Sequence, residues 1–192
     1  MHISVVAKEI NEWSGSVLIA GILEGAIDCQ INSFKTIIND TYLKQRFNDA
    51  KFEGQKSQKL SIELAEGNIK KIIFVGLGKA ENLRIDDLRK AASTATRKVL
   101  GYEKKLGISF PWDAFDPSSA ASAVGEAVRL SSIKDLRFKS EQKESTSIEE
   151  LELIGLDVKA TESAISEIMP ICEGVKFARE LVSAPPNFLT PY

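Results

Sequence analysis

With 192 residues, 43% of them hydrophobic and 27% charged, the chain is long enough to bury one sizeable core, and its composition argues against disorder and against a fibrous repeat. A net charge of -2 with a pI near 5.6 gives no clustered positive field, so nucleic acid is not an expected partner. The longest apolar run, Val17–Leu23, is too short to span a bilayer, and the opening MHISVVAKEINEW lacks the basic start and apolar stretch of a leader, so we expect a cytoplasmic protein with no membrane contact.

Residues 3–6 and 17–23 are short apolar runs rich in β-branched side chains, the pattern of strands buried inside a sheet. From residue 29 to 50 the spacing of Ile31, Phe34, Ile38, Leu43 and Phe47 follows a helical face, as one broken helix or two short ones. Leu60, Ile62 and Leu64 alternate with polar neighbours, and a Gly67-Asn68 turn leads at once into the apolar run 72–75. That connection is too short for a parallel crossover, so the two strands should be antiparallel.

Beyond Val75 strand and helix patterns alternate, which is how a parallel sheet is wound. A helix is predicted over residues 86–100, with Leu88, Ala92, Ala95 and Val99 on one face, Asp86 and Asp87 at its start, and Arg97, Lys98 and Gly101 at its end. A strand follows over 106–110. Asp116-Pro117 reads as a cap and first-turn proline for a helix to about residue 130, with Val124 and Val128 inward and Ala120, Ala121 and Gly125 allowing close approach to the sheet. Residues 134–150 are polar and charged, as in an exposed loop or a ragged edge. A last strand is expected over 151–156. The helix after it carries Ile165, Ile168, Cys172, Val175 and Val182 near one face, and Pro170 should either kink it or begin a new helix near Met169.

Chemistry has few candidates. Metal hydrolases need several ligands converging on one point, and the chain has 1 histidine, His2, so no histidine-based metal site is expected. Cys29 and Cys172 form no CxxC pair and read as small buried residues. No GxSxG elbow is present to supply a nucleophile. The acids Asp86-Asp87 and Glu149-Glu150 suit a helix start and a loop better than paired acid-base work. Thus we expect no catalytic and no metal-binding residue. One glycine motif, VGLGK, follows a buried strand, where the backbone N–H groups of Gly76, Leu77, Gly78 and Lys79 offer a phosphate cradle. The motif lacks the third glycine of the dinucleotide fingerprint and the GK[ST] ending of the Walker loop, so a tight turn beside packed backbone is the preferred reading.

Three stretches in order resemble the leucine aminopeptidase (cytosol aminopeptidase) family: IIFVGLGK at 72–79 with DDLRKAA at 86–92, AVGEAVRLSSIKDLRFKS at 123–140, and VKFARELVSAPPNFLTP at 175–191. The second departs from the family at Ser131-Ser132, where a bulky apolar and aromatic pair is common, and the third at Ser183-Ala184, where Asn and Thr or similar residues precede the prolines.

The resemblance implies an α/β fold, a macro-domain-like three-layer sandwich whose mixed sheet carries helices on both faces. Residues 1–183 would be an N-terminal non-catalytic domain and 184–192 the start of a linker to an absent C-terminal catalytic domain, the partner within the same chain. Pro185 and Pro186 support a stiff exit, since they cannot continue a helix and push Ala184 towards an extended backbone. The family's activity is removal of N-terminal residues, with leucine favoured, by two divalent metals, zinc or manganese, that activate a water. Its metal and catalytic residues belong to the C-terminal domain, so no cofactor is expected here and no position among Met1–Tyr192 matches them. Members assemble as hexamers, which makes a homo-oligomer the expected parent. Two other readings stand beside this one: a stand-alone macro-like module that binds a nucleotide phosphate at Gly76, Leu77, Gly78 and Lys79, and a plain oligomerisation module.

Overall fold

A computed structural model describes residues 1–100, 104–133, 135, 137–138, 147–185 and 187–188. Among them, β1 (His2–Val6), β2 (Val17–Leu23), β3 (Lys59–Glu63), β4 (Lys71–Gly78), β5 (Lys105–Ser109) and β6 (Glu150–Ile154) form one sheet in the order β1-β6-β5-β2-β4-β3. Every pairing is parallel except β3 with β4. That exception is the pair joined by the short Gly67-Asn68 connection, as the loop length requires.

Side chains alternate across the sheet and build two cores. On one face Ile19, Ile73, Leu106, Ile108, Leu151 and Leu153 meet α3 (Ile85–Val99), α4 (Pro117–Ser132) and α5 (Val158–Ser183). On the other, Leu18, Ile72 and Phe74 meet Ile31 of α1 (Ile27–Ile31), Phe34 of the turn after it, and Leu43 and Phe47 of α2 (Asp40–Asp49). The protein is therefore a three-layer α/β sandwich with a mixed central sheet. Each fully buried Leu or Ile contributes about 1.5 to 3 kcal/mol.

The helices begin as their residues dictate. Asp116 accepts the Ser119 N–H at 2.8 Å, with Pro117 in the first turn of α4, and Asp157 accepts the Ala160 N–H at 2.7 Å to start α5. In α3 the inward face is Leu88, Ala92, Ala95, Thr96 and Val99, and Gly101 lies outside the described residues.

Several expectations need correction. β1 is an edge strand rather than an interior one: it pairs with β6 alone, with Ile3 and Val5 on one core, Val6 on the other and His2 exposed. The last strand starts at Glu150, and Ile148 just before it is buried, so the polar segment ends sooner than its composition implies; residues 134, 136 and 139–146 lie outside the described ones. Gly125 meets α5 and not the sheet: a Cβ there would stand 2.5 Å from Ile168 Cδ1. No new helix starts near Met169, since α5 runs unbroken through Pro170. Pro170 and Ser166 are both exposed, so the carbonyl that loses its partner faces water, and buried Ile168 and Cys172 hold the helix on either side. Val182, expected on the inward face, is 88% exposed.

Candidate functional site

The VGLGK segment is the end of β4, whose pairing runs to Gly78. Two of its backbone donors are already engaged: the Gly76 N–H donates to Gln58 O at 2.9 Å and the Gly78 N–H to Gly54 O at 2.8 Å. Leu77 points into the core at 1% exposure, and Lys79 is exposed. Gly76 lies so close to the 54–55 backbone that an added Cβ would fall on Gln55 O and 2.7 Å from Gly54 C. These four residues thus close the sheet against a loop, and two of the N–H groups a phosphate needs are spent within the chain.

Beside that loop, Lys56 Nζ pairs with Asp87 at 2.7 Å, a contact between residues far apart in sequence that no local pattern announces. Burial alone would raise the Asp87 carboxyl. The hydrogen bonds from Lys56 and from the Arg84 N–H, with the positive charges of Lys56 and Lys90, outweigh it and hold the group below the ordinary carboxylate value. A depressed folded-state pKa stabilises the fold above the unfolded value of about 3.9 and loses that contribution as pH falls through the folded one. Asp87→Asn should accordingly flatten the acid limb of a stability-against-pH curve below about pH 4; an unchanged acid limb would show the pair to be idle.

The other acids of the two adjacent pairs, Asp86, Glu149 and Glu150, are also taken. Asp86 pairs with Arg89 at 2.8 Å, Glu149 with Lys104 at 2.8 Å, and Glu150 with Lys105 at 3.7 Å. Trp13 Nε1 donates to Glu152 at 2.7 Å, and Lys105 joins the same carboxylate at 3.0 Å. His2 sits on the edge strand, with its backbone N–H bonded to Glu149 O. Cys172 is buried, as expected, and desolvation leads the effects that push its thiol up to about 11. Cys29, expected inside, is exposed, since the inward side of the short α1 is taken by Ile31. Among the described residues no group of three or more His, Cys, Asp or Glu is placed to hold a metal ion. These residues do not fit a two-metal centre.

What the sequence reading missed is an apolar surface at the far end of α5. Phe177 is 62% exposed and Leu181, one turn on, 42%. Phe138 packs edge-on against Phe188 with ring centroids 5.1 Å apart. Arg137 binds the segment to the helix: its guanidinium donates to Glu180 O at 2.9 Å and lies 5.1 Å from the Phe138 ring. Arg137, Phe138, Glu180, Leu181, Ala184 and Phe188 enclose an open groove of ≈ 370 Å³. Phe177 and Leu181 at i and i+4 were the legible signal, once the inward stripe is seen to end at Cys172. Ala184 is extended, with φ -70° and ψ 133°, while Pro186 and residues 189–192 lie outside the described residues.

The profile of the N-terminal domain of the cytosol aminopeptidase family matches residues 21–142. The chain belongs to that family. A probable cytosol aminopeptidase of Prochlorococcus marinus strain MIT 9211 is 47% identical over 191 residues, covering 100% of this chain and 38% of the relative. The corresponding protein of Prochlorococcus marinus strain SARG is 44% identical with the same coverage. One from Synechococcus sp. strain CC9902 is 38% identical, across 39% of its own length. This cytosol aminopeptidase domain thus spans about two fifths of the curated relatives it matches. Among solved structures, a mutant tomato leucine aminopeptidase superposes with a TM-score of 0.82 at 24% identity, over 100% of this chain and 40% of that one. The bottromycin maturation enzyme BotP, in complex with Mn, gives 0.64 at 22% identity, over 93% and 34%. At such identities the likeness bears on the fold. No helix among the described residues is long and apolar enough to cross a membrane.

Proposed function

We propose that this chain is the non-catalytic N-terminal domain of a leucyl aminopeptidase that uses two divalent metals, zinc or manganese, and that its task is to seat a C-terminal catalytic domain and help assemble a cytoplasmic hexamer. The observation that carries this reading is the apolar end of α5. Phe177, Leu181, Phe138 and Phe188 stand in water where the chain leaves the sandwich, and the relatives continue well beyond the matched length. Exposed apolar clusters of this kind mark interaction surfaces. The occupant is the remainder of the longer protein, because it joins at this end. The chemistry then belongs to that remainder, in keeping with Asp86, Asp87, Glu149 and Glu150, each held in an ion pair.

The test compares the 192-residue chain with the longer protein, using a leucyl anilide with added Mn or Zn. The short chain should give no turnover, and the longer one should hydrolyse the substrate. Phe177→Asp should leave the melting of the short chain within about 0.5 kcal/mol, as for most surface changes, yet destabilise the longer protein. Turnover by the short chain, or a longer protein indifferent to Phe177→Asp, would overturn the reading.

A further inference from the structure

Parallel α/β sheets form a ligand crevice at the carboxyl ends of their strands, where neighbouring strands send their connections to opposite sides. In this sheet that point lies between β2 and β5: β2 leads through α1 and α2 towards β3 and β4, whereas β5 leads through α4 to β6 on the other side. Two lobes meet there. The larger, ≈ 530 Å³, reaches from Ser109 to Ile154 and Gly155 at the end of β6 and is bordered by Asn11, Asn32 and Thr36. The smaller, ≈ 130 Å³, lies beside Gly21, Gln30, Phe34 and Phe110. Ile10, Ser33 and Ser109 line both, so the lobes are one crevice.

Its lining is polar but nearly without net charge. Asn11, Asn32, Ser33 and Thr36 are exposed and Ser109 is half-buried, and none of the five makes a side-chain hydrogen bond to other described residues. Gln30 receives the Leu23 N–H at 2.8 Å on its oxygen, which fixes the amide and leaves its two donors unspent. Lys8 and Glu9, one of each sign, border the larger lobe. Ile10 and Pro111, both half-buried, add apolar surface above the buried Phe34 and Phe110. Binding sites commonly combine an apolar wall with a few polar groups that fix orientation.

We infer that this crevice binds an uncharged ring compound with several hydroxyl groups, a nucleoside or a simple sugar. Hydroxyls both donate and accept, as the amides and alcohols here do, and a ring presents an apolar face to Ile10 and Pro111. A phosphate finds a single lysine, offset by the adjacent glutamate. The inference is independent of the aminopeptidase reading.

Calorimetry and ligand-observed NMR on the 192-residue chain, with adenosine, glucose and ADP as probes, test it. One neutral probe should bind saturably, and which one does names the source. ADP should bind no more tightly than adenosine. Asn32→Ala and Ser109→Ala should each weaken binding about tenfold. Ser33→Trp should abolish it by filling the crevice; Ser33 is exposed, so melting should not change. The proposal is overturned by lack of saturable binding of both neutral probes at about 10 mM, by tighter binding of ADP than of adenosine, or by a Ser33→Trp protein that melts normally and still binds.

Discussion

Gly76→Val will lower the stability of this domain by about 3 kcal/mol or more, equivalent to a melting temperature about 10 °C lower at this chain length. The cause is contact and not conformation. Gly76 is not among the glycines with positive φ, which among the described residues are Gly25, Gly54, Gly67, Gly78 and Gly155. A side chain at 76 meets Gln55 O, Gly54 C and Gln55 C, all backbone, and a loop tied by the Gly76–Gln58 and Gly78–Gly54 hydrogen bonds cannot retreat without breaking them. Gly174→Ala supplies the contrast: it lies in α5 with nothing within 4 Å of the new Cβ, so it should stabilise by about 0.5 to 1 kcal/mol. Thermal unfolding of the two variants reads the difference in sign. A Gly76→Val protein that melts like its parent would show that the loop is not fastened to β4.

Phe74→Ala should cost about 3 to 5 kcal/mol. Phe74 is fully buried and stands between Phe34 and Phe47, with ring centroids 5.1 and 4.9 Å away and both contacts edge-on. In register it faces Ala20 on β2 and Leu60 on β3, and the small Ala20 leaves the room its ring fills. Truncation removes the transfer energy of the ring and leaves a cavity that α1 and α2 can close only by shifting closer to the sheet, against their other core contacts. Urea unfolding should show a lower midpoint with an unchanged slope, since the surface exposed on unfolding is the same. A loss below about 1.5 kcal/mol would mean that the helices on this face collapse freely onto the sheet.

Local patterns carry most of the fold. Val17–Leu23 is bounded correctly from the sequence because a fully apolar seven-residue run has few other uses, and the antiparallel β3–β4 pair follows from the length of one turn. Asp116-Pro117 marks the start of α4 because both residues act on their own next turn. The errors fall where distant partners decide. Nothing near residue 3 says that its neighbour is Leu151, so its apolar run alone places β1 inside the sheet. The local cost of Pro170 points to a break, which water and the flanking core contacts remove. Period alone puts Val182 inward, although the helix outruns the core it packs on. At VGLGK the glycines are visible, but the loop that consumes their N–H groups comes from residues 54–58, which carry no motif. The apolar end of α5 escapes because exposed and buried aromatics look alike in a sequence.

The position of β1 bears on synthesis. Its ladder is built with residues 150–154 alone, so a strand made before the rest of the sheet is the last to find its neighbour. The sheet can grow from β2, β3, β4 and β5 while β1 waits, with no strand of the early chain paired to it. Nascent chains halted before residue 150 should leave segment 2–6 open to proteases, and emergence of β6 should close the domain in a single late step set by the long loop between them.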